Sequence, residues 1–382
     1  MKQDVSGLPL SGVLVLDLTR AVSGPFCTMN LADLGARVIK IEDTGAGDEC
    51  RQWGPPFVGP DSAYFLGINR NKESVTLDLK SPAGRRSLLQ LCAKADVVIE
   101  NFRPGVMKRL GADYQSLGRD DLVYVSISGF GQDGPNAGRP GYDILVQAMS
   151  GLMTVSAYPD GPPVKCGFPV VDIVTSFYAS QAVLASLFSR ERTGKGRYVD
   201  ICLLESMMGV MCSVTSAWLL AKAETKPMGA TQGSIVPYQI FKCADGMMVI
   251  GAPNERLWQG FCRALGREDL MDDPKYSRNE LRVKHRDELV GKIDAELAQH
   301  PRQYWLSAFE REQVPCGPVL STAEVLDSPA IRERGAVVTL QDPVSGPVEV
   351  LRSPMRFAGL EPRLEAPPRL GEHTAKVLQE LG

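Results

Sequence analysis

Histidine is almost absent. The 382-residue sequence holds three, at positions 285, 300 and 373, so the chain before His285 has no imidazole to use as base or ligand. None of the three has a second histidine or a cysteine at ligand spacing, which weighs against Ser-His-Asp and Cys-His mechanisms and against zinc. The nine cysteines are odd in number and show no paired metal spacing, and they read as buried thiols in a reducing compartment. Charge of one sign is also scarce. A formal net charge of -3 gives no general attraction to nucleic acid or to an anionic membrane, so any polyanionic ligand must meet local positive charge. Uninterrupted apolar runs are missing too. Residues 8–18 contain Pro9, Ser11 and Asp17 and lack a small-residue cleavage pattern, so no secretion signal is apparent. Residues 203–221 are broken by Glu205 and several serines, and they read as a buried helix rather than a membrane span.

What is present is the composition of a globular protein, 44% hydrophobic and 23% charged, at a length that favours two domains. The spacing predicts strands over 13–17, 38–42, 75–79, 97–100, 122–128 and 198–202, with helices over 25–34 and 82–93 between them. Such βαβ units build a parallel sheet with ligand-binding loops at the carboxyl ends of its strands. Beyond about Pro227 the texture changes. A hairpin is expected over 238–241 and 247–250, helices over 255–265, 286–299 and 303–311, and a second hairpin over 336–340 and 348–351. A proline-rich tail precedes a last helix near 374–381. Composition does not decide whether that tail runs over the surface, returns to the first domain or reaches a partner subunit.

Within this frame Asp172 stands out, as a carboxylate at the mouth of an apolar helical run predicted over 173–190. The helix dipole and free amide donors at such a position hold an aspartate ionised and suit it to nucleophilic attack; a plain capping aspartate is the other reading. Residues 129–134, Gly-Phe-Gly-Gln-Asp-Gly, match the dinucleotide fingerprint in letters, but Pro135 follows where a phosphate-binding helix has to start. NAD and FAD are therefore not expected, and the glycines are assigned to a tight loop beside Tyr142. Asn69, Arg70, Asn71, Lys72, Lys80, residues 101–105 and Arg109 place basic and amide groups near strand ends. They read either as solvated surface or together as a phosphate pocket. Tyr142 is packing, a donor, or both, and Asp143 is expected to cap the helix that it opens.

Taken together, several fragments resemble the class III CoA-transferases, the carnitine and formyl-CoA transferase family. They are Asp17-Leu18-Thr19-Arg20 with Gly24-Pro25, Ala32-Asp33-Leu34-Gly35, Asn71-Lys72, Glu100-Asn101-Phe102-Arg103-Pro104-Gly105, Gly141-Tyr142-Asp143, residues 233–238 and residues 370–374. The resemblance implies an α/β fold with a Rossmann-like open sheet. Its large domain would comprise residues 1–200 and 320–382, with a linker helix over 201–225 and a smaller α/β domain over 226–319, in interlocked ring-like subunits that form an intertwined homodimer. It implies Asp172 as the covalent nucleophile and coenzyme A as cosubstrate, passing Val22, Ser23, Leu77, Lys80, Asn101, Phe102, Arg109, Leu110 and Tyr142. No metal, NAD or FAD is implied, and no nucleic acid or membrane partner.

Two departures from the family pattern stand out. Asp43 replaces a basic residue after the second strand, and Val22 stands where formyl-CoA transferase has glutamine. Residues 53–59 and 233–239 look closest to the succinate–hydroxymethylglutarate branch, which implies transfer from an acyl-CoA such as succinyl-CoA to a short dicarboxylic acid. Arg20, Arg51 and Ser234 are candidates to hold the second carboxylate of such a diacid. The alternatives are an α-methylacyl-CoA racemase, for which Tyr142 is a poor base at neutral pH, and a non-catalytic CoA-binding protein. A cytoplasmic location is expected for a bacterial protein, and the mitochondrial matrix for a processed eukaryotic form.

Overall fold

The computed structural model describes residues 7–381. The chain forms two compact units. One contains the residues up to Met153, Lys165–Glu224 and those from Pro329 onward; the other contains Thr154–Val164 and Thr225–Ser328. The helices over 203–221 thus belong to the large unit, and a short piece near residue 160 belongs to the small one.

The large unit is built on a six-stranded sheet: β1 (Leu14–Leu18), β2 (Arg37–Glu42), β3 (Lys72–Thr76), β4 (Val97–Glu100), β5 (Val123–Ser128) and β6 (Tyr198–Cys202). All pairings are parallel, in the order β3-β2-β1-β4-β5-β6. A parallel sheet covered on both faces buries both rows of side chains, which is why these strands read as continuous apolar runs. Val97, Val98 and Ile99 are completely buried. The strand order reverses between β1 and β4, and their carboxyl ends part there to leave a crevice.

Helix α1 (Ser23–Asp33) follows β1 directly, and Gly35 turns the chain out of it at φ 102°. Helix α2 (Pro82–Lys94) starts at the expected proline, and its N-cap Ser81 accepts from the Gly84 amide at 3.0 Å. Then come α3 (Val106–Leu110), α4 (Asp143–Met149), α5 (Val170–Thr193, closed by Gly194 at φ 69°), α6 (Leu203–Val210) and α7 (Cys212–Ala221). Phe26 on α1 meets Phe177 on α5 edge to face, with ring centroids 5.9 Å apart.

Three expectations need correction. Strand β3 begins at Lys72, three residues before the apolar pattern starts, because Lys72 and Glu73 are strand residues buried by ion pairing rather than by hydrophobicity. Helix α5 begins at Val170 rather than Ile173, because its cap comes from elsewhere in the chain. The single buried helix expected after Leu203 is two helices, bent by 82° at Met211, and no residue of α7 is buried.

Below the carboxyl edge of β1 to β3 lies a polar core. Asp17 is fully buried and accepts from the Thr19 amide (2.9 Å), the Thr19 and Thr28 hydroxyls (2.5 and 2.6 Å) and Lys72 Nζ (3.1 Å). Burial opposes its charge, but Lys72, Lys40 and the two hydroxyls outweigh it and hold the carboxyl well below the usual range. Burial likewise pushes Lys72 down, to about 8, against the pull of Asp17. The two lysines also tie down the turn from β1 to α1. Lys40 Nζ donates to the Thr19 carbonyl and Lys72 Nζ to the Pro25 carbonyl, both at 2.8 Å. Gly24 has to be glycine in this turn, since a Cβ there would lie 2.2 Å from the Thr19 Cβ.

The small unit carries a three-stranded antiparallel sheet of β7 (Tyr238–Lys242), β8 (Met247–Gly251) and β9 (Cys316–Pro318), with β8 central. Its core is aromatic: Trp258 and Phe261 of α8 (Glu255–Leu265) stack in sequence on Phe309. The fully buried Arg282 guanidinium lies 4.8 Å from the Trp258 ring and pairs with Glu255.

The C-terminal tail returns to the large unit, the alternative that composition had left open. After the hairpin β10 (Val337–Asp342) and β11 (Gly346–Leu351), it runs along the free edge of β3. The His373 amide donates to the Ser74 carbonyl (2.9 Å), and the Ser74 and Thr76 amides donate to His373 Nδ1 (3.2 Å) and Thr374 Oγ1 (2.9 Å). An edge that would otherwise be open is thereby closed.

Replacing Lys72 by Met leaves the Asp17 carboxylate buried without its partner. The expected loss is about 3–5 kcal/mol, read as a lower midpoint in urea unfolding. An unchanged midpoint would show that the polar core is not what holds the β1–α1 turn.

Candidate active site

A cavity of about 620 Å³ opens at the switch point of the large unit. Its walls come from the turns after β1 (Arg20–Ser23), β4 (Asn101–Pro104) and β5 (Ser128, Gly129), from Pro140–Ile144, and from the head of α5 at Pro169 and Asp172. Elements distant in sequence converge here because each lies at a strand's carboxyl end or on the first turn of a helix.

Asp172 is the third residue of α5, whose N-cap Pro169 offers no side chain to the free amides. Asp143 supplies the cap instead. Its Oδ1 accepts from the amides of Val171 (2.9 Å) and Asp172 (3.4 Å), while its Oδ2 accepts from Gln147 Nε2 (2.6 Å). Asp143 was expected to cap its own helix, but the N-cap of α4 is Tyr142, and the aspartate serves a helix 28 residues downstream. The expectation that the α5 amides would hold Asp172 ionised is corrected with it. Those donors are engaged by Asp143. Burial first, and the neighbouring Asp143 carboxylate second, push the Asp172 carboxyl up to about 7, against a lowering hydrogen bond from Ser23.

The opposite wall is a second helix head, that of α1. Ser23 is its buried first residue, Val22 gives no side-chain cap, and since Pro25 has no N–H the first turn offers the amides of Ser23 and Gly24, which no side chain caps among the described residues. Of the helix N-termini that reach the cavity, that of α5 is thus filled by a carboxylate, while the Ser23 end of α1 can receive an oxyanion.

Of the residues named from sequence, Arg20, Val22, Ser23, Asn101, Phe102, Tyr142 and Asp172 line the cavity. Asn101 is committed to the turn. Its side chain accepts from the Arg20 amide (2.9 Å) and donates to the Arg20 carbonyl (2.8 Å), and the Arg20 guanidinium lies 4.7 Å from the Phe102 ring centre. Leu77, Lys80, Arg109 and Leu110 lie outside the cavity, at the carboxyl edge beyond β3 and β4. Leu77 is buried, Leu110 packs partly against the same core, and Lys80 and Arg109 are exposed.

Arg51 does not reach the cavity. It pairs through two nitrogens with Glu42 (2.7 Å each) and stacks on Phe65, because Glu42 is a buried carboxylate that needs a cation. Asp43, beside it, is exposed and accepts from the Gly45 amide. Ser234 belongs to the small unit, where its amide donates to Gln232 Oε1 and its carbonyl accepts from Asn279.

The sequence reading missed Tyr64, Glu49 and Arg139. Tyr64 is placed by Ser62, which caps its short helix, and by an edge-to-face contact with Trp53 at 5.3 Å. Burial, then Asp172 and Asp143, push its hydroxyl up to about 12, so it stays protonated and able to donate. Among the described residues no group of three His, Cys, Asp or Glu side chains is arranged to hold a metal ion.

A model of CoA-transferase family III matches residues 10–374. The chain belongs to that family. Over 376 residues it is 42% identical to the mouse succinyl-CoA:glutarate CoA-transferase, covering 98% of this chain and 86% of the mouse protein. It is 38% identical to the succinate–glutarate CoA-transferase of Agrobacterium fabrum, over 98% and 96% of the two chains. The crystal structure of a CAIB/BAIF family protein from Brucella suis superposes with a TM-score of 0.88 at 37% identity, over 98% of this CoA-transferase and all of that chain.

Because the folded-state pKa of Asp172 is raised, ionising it costs stability. The contribution is fully present below the ordinary value of 3.8 and is lost as pH rises through about 7. Asp172→Asn removes this titration. Its Tm is therefore expected to exceed that of the wild type by a gap that grows from pH 4 to pH 7 and then levels off, on the order of a few degrees. A gap that shrinks with rising pH would mean that the carboxyl is stabilised as an anion.

Proposed function

We propose that this family III CoA-transferase moves CoA from succinyl-CoA to a short dicarboxylic acid, with Asp172 as the covalent nucleophile. The observation that carries this reading is the placement of Asp172: a carboxylate in the wall of the cavity, hydrogen-bonded to Ser23, the first residue of α1. The names of the mouse and Agrobacterium relatives support the choice of acids.

In the first step a carboxylate oxygen of Asp172 attacks the thioester carbonyl, and the C–S bond breaks. This gives a mixed anhydride and the CoA thiolate. The thiolate attacks the aspartyl carbonyl and expels the donor acid as its carboxylate, leaving an aspartyl-CoA thioester. The acceptor carboxylate then attacks that thioester to form a second anhydride and free the thiolate. Attack of the thiolate on the acceptor's acyl carbon completes the new acyl-CoA and restores Asp172. Each tetrahedral oxyanion needs oriented donors, and the α1 amides and the Tyr64 hydroxyl supply them. The raised pKa has a role in this cycle. A weakly solvated carboxylate is a better nucleophile than one held by two amides, and Asp143 keeps those amides engaged.

We place CoA along the carboxyl edge past Phe102, Leu77 and Leu110, with Lys80 and Arg109 at its phosphates. Both cations are exposed, and among the described residues neither has an ion-pair partner. The working assembly is, in this reading, the intertwined homodimer of ring-like subunits. The bent pair α6–α7 exposes Trp218 (55%), Leu219 (67%) and Leu220 (86%), consecutive apolar side chains that a partner subunit would cover.

Incubated with succinyl-CoA, the wild type is expected to show acyl or CoA adducts by intact mass spectrometry. Adduct formation should be roughly tenfold slower at pH 6 than at pH 8, since only the ionised carboxyl attacks. Asp172→Ala should show no adduct and no turnover while remaining folded, and turnover in that variant would remove the mechanism. For the assembly, Leu220→Glu together with Trp218→Glu should shift the light-scattering mass from dimer to monomer; an unchanged dimer would place the interface elsewhere.

A further inference from the structure

Three arginines line the cavity: Arg20, Arg103 and Arg139. The first two follow β1 and β4. Arg20 covers Phe102, and Arg103 also lines a second cavity of about 360 Å³ beside Lys108 and Gln132. Arg139 is on the other flank. It closes the loop that follows β5, three residues before Tyr142 and four before Asp143, whose carboxylate caps the helix that carries Asp172.

That loop is held at its neck. A Cβ on Gly129 would lie 2.5 Å from the Gly141 Cα, and one on Gly141 would lie 2.3 Å from the Gly129 Cα, so two bare backbones touch where the loop begins and ends. Inside it the Gly131 amide donates to Ser128 Oγ (3.0 Å), the Gln132 amide to Asp200 Oδ2 (2.9 Å) and the Arg139 amide to the Asn136 carbonyl (2.9 Å). The Arg139 guanidinium lies 5.6 Å from the Phe130 ring centre and has a long contact to Asn136 Oδ1 at 3.3 Å. Among the described residues it has no carboxylate partner. An exposed guanidinium without a carboxylate partner, lining the same cavity as Tyr142 and Asp143, is a two-pronged receptor for an anion.

We infer that Arg139 is a specificity-determining residue that holds the distal carboxylate of the diacid while the proximal one reacts at Asp172. This inference rests on the proposed dicarboxylate transfer and deepens it. The physical need is plain: a bound diacid brings further negative charge to a site that already contains Asp143 and Asp172, and a desolvated carboxylate requires a cation. Of the sequence-based candidates, Arg51 is engaged by Glu42 and Ser234 lies in the other unit, while Arg20 lines the cavity with its guanidinium stacked on Phe102.

The test compares two five-carbon acceptors, glutarate and pentanoate, at fixed succinyl-CoA, in wild type, Arg139→Gln and Arg139→Lys. Wild-type kcat/KM should favour glutarate. Arg139→Gln should lower kcat/KM for glutarate roughly 10- to 100-fold, mainly through KM, and bring the glutarate-to-pentanoate ratio towards one. Arg139→Lys should restore part of the preference by returning the charge without the fork. If Arg139→Gln lowers both acids equally, Arg139 only supports the loop and the inference falls. It also falls if the preference for glutarate survives. Failure of the wild type to transfer CoA to glutarate or any other short diacid would overturn the proposed function itself, before any variant is compared.

Discussion

Two peptide N–H groups at the head of α5 have one carboxylate to receive them, and it belongs to Asp143. Much of the site depends on this contact. It starts the helix at Val170, and with Gln147, which also accepts from the Cys166 amide at 2.8 Å, it draws the preceding loop onto α4. It also sets the electrostatics. A carboxylate that would otherwise be stabilised by those amides stands beside an anion, partly removed from water, at the edge of ionisation near neutral pH.

A second constraint holds the opposite wall. The turn from β1 to α1 includes Ala21 at φ 64° and Gly24, where no side chain fits, a conformation that costs energy unless its surroundings impose it. Here they do. Two buried lysines grip the carbonyls at either end of the turn, and Asp48 accepts from the Ala21 amide at 3.1 Å. The charges that fix the turn are themselves paired, so the rigidity of the α1 head does not leave an orphaned ion in the core.

How much of this was legible in the sequence follows from which forces leave a linear trace. The parallel strands did, since β4 and β6 lie where their apolar runs are, and so did the prolines and glycines that open and close helices. Asp172 was legible because a carboxylate stands out at the start of an apolar helix. Lys72 and Glu73 misled the reading, because a charge buried by a partner far along the chain looks the same as a charge facing water. The Asp143 cap was invisible for a related reason: capping patterns are read within a few residues, and this one spans 28. Arg51 showed the converse. A cation placed by sequence near the chemistry is taken by Glu42 nine residues earlier. Helix α7 showed a last limit, for apolar composition implies burial but does not say against what.

The return of the tail to β3 has a consequence for how the protein comes into being. Residues 363–374 complete the outer edge of a strand that leaves the ribosome some three hundred residues earlier, and the whole small unit is synthesised in between. Until the tail emerges, the nascent chain carries a sheet with a bare rim, the kind of surface that recruits stray strands. Closure of the large unit is therefore among the last events of synthesis, and a chain released early would be sticky as well as incomplete.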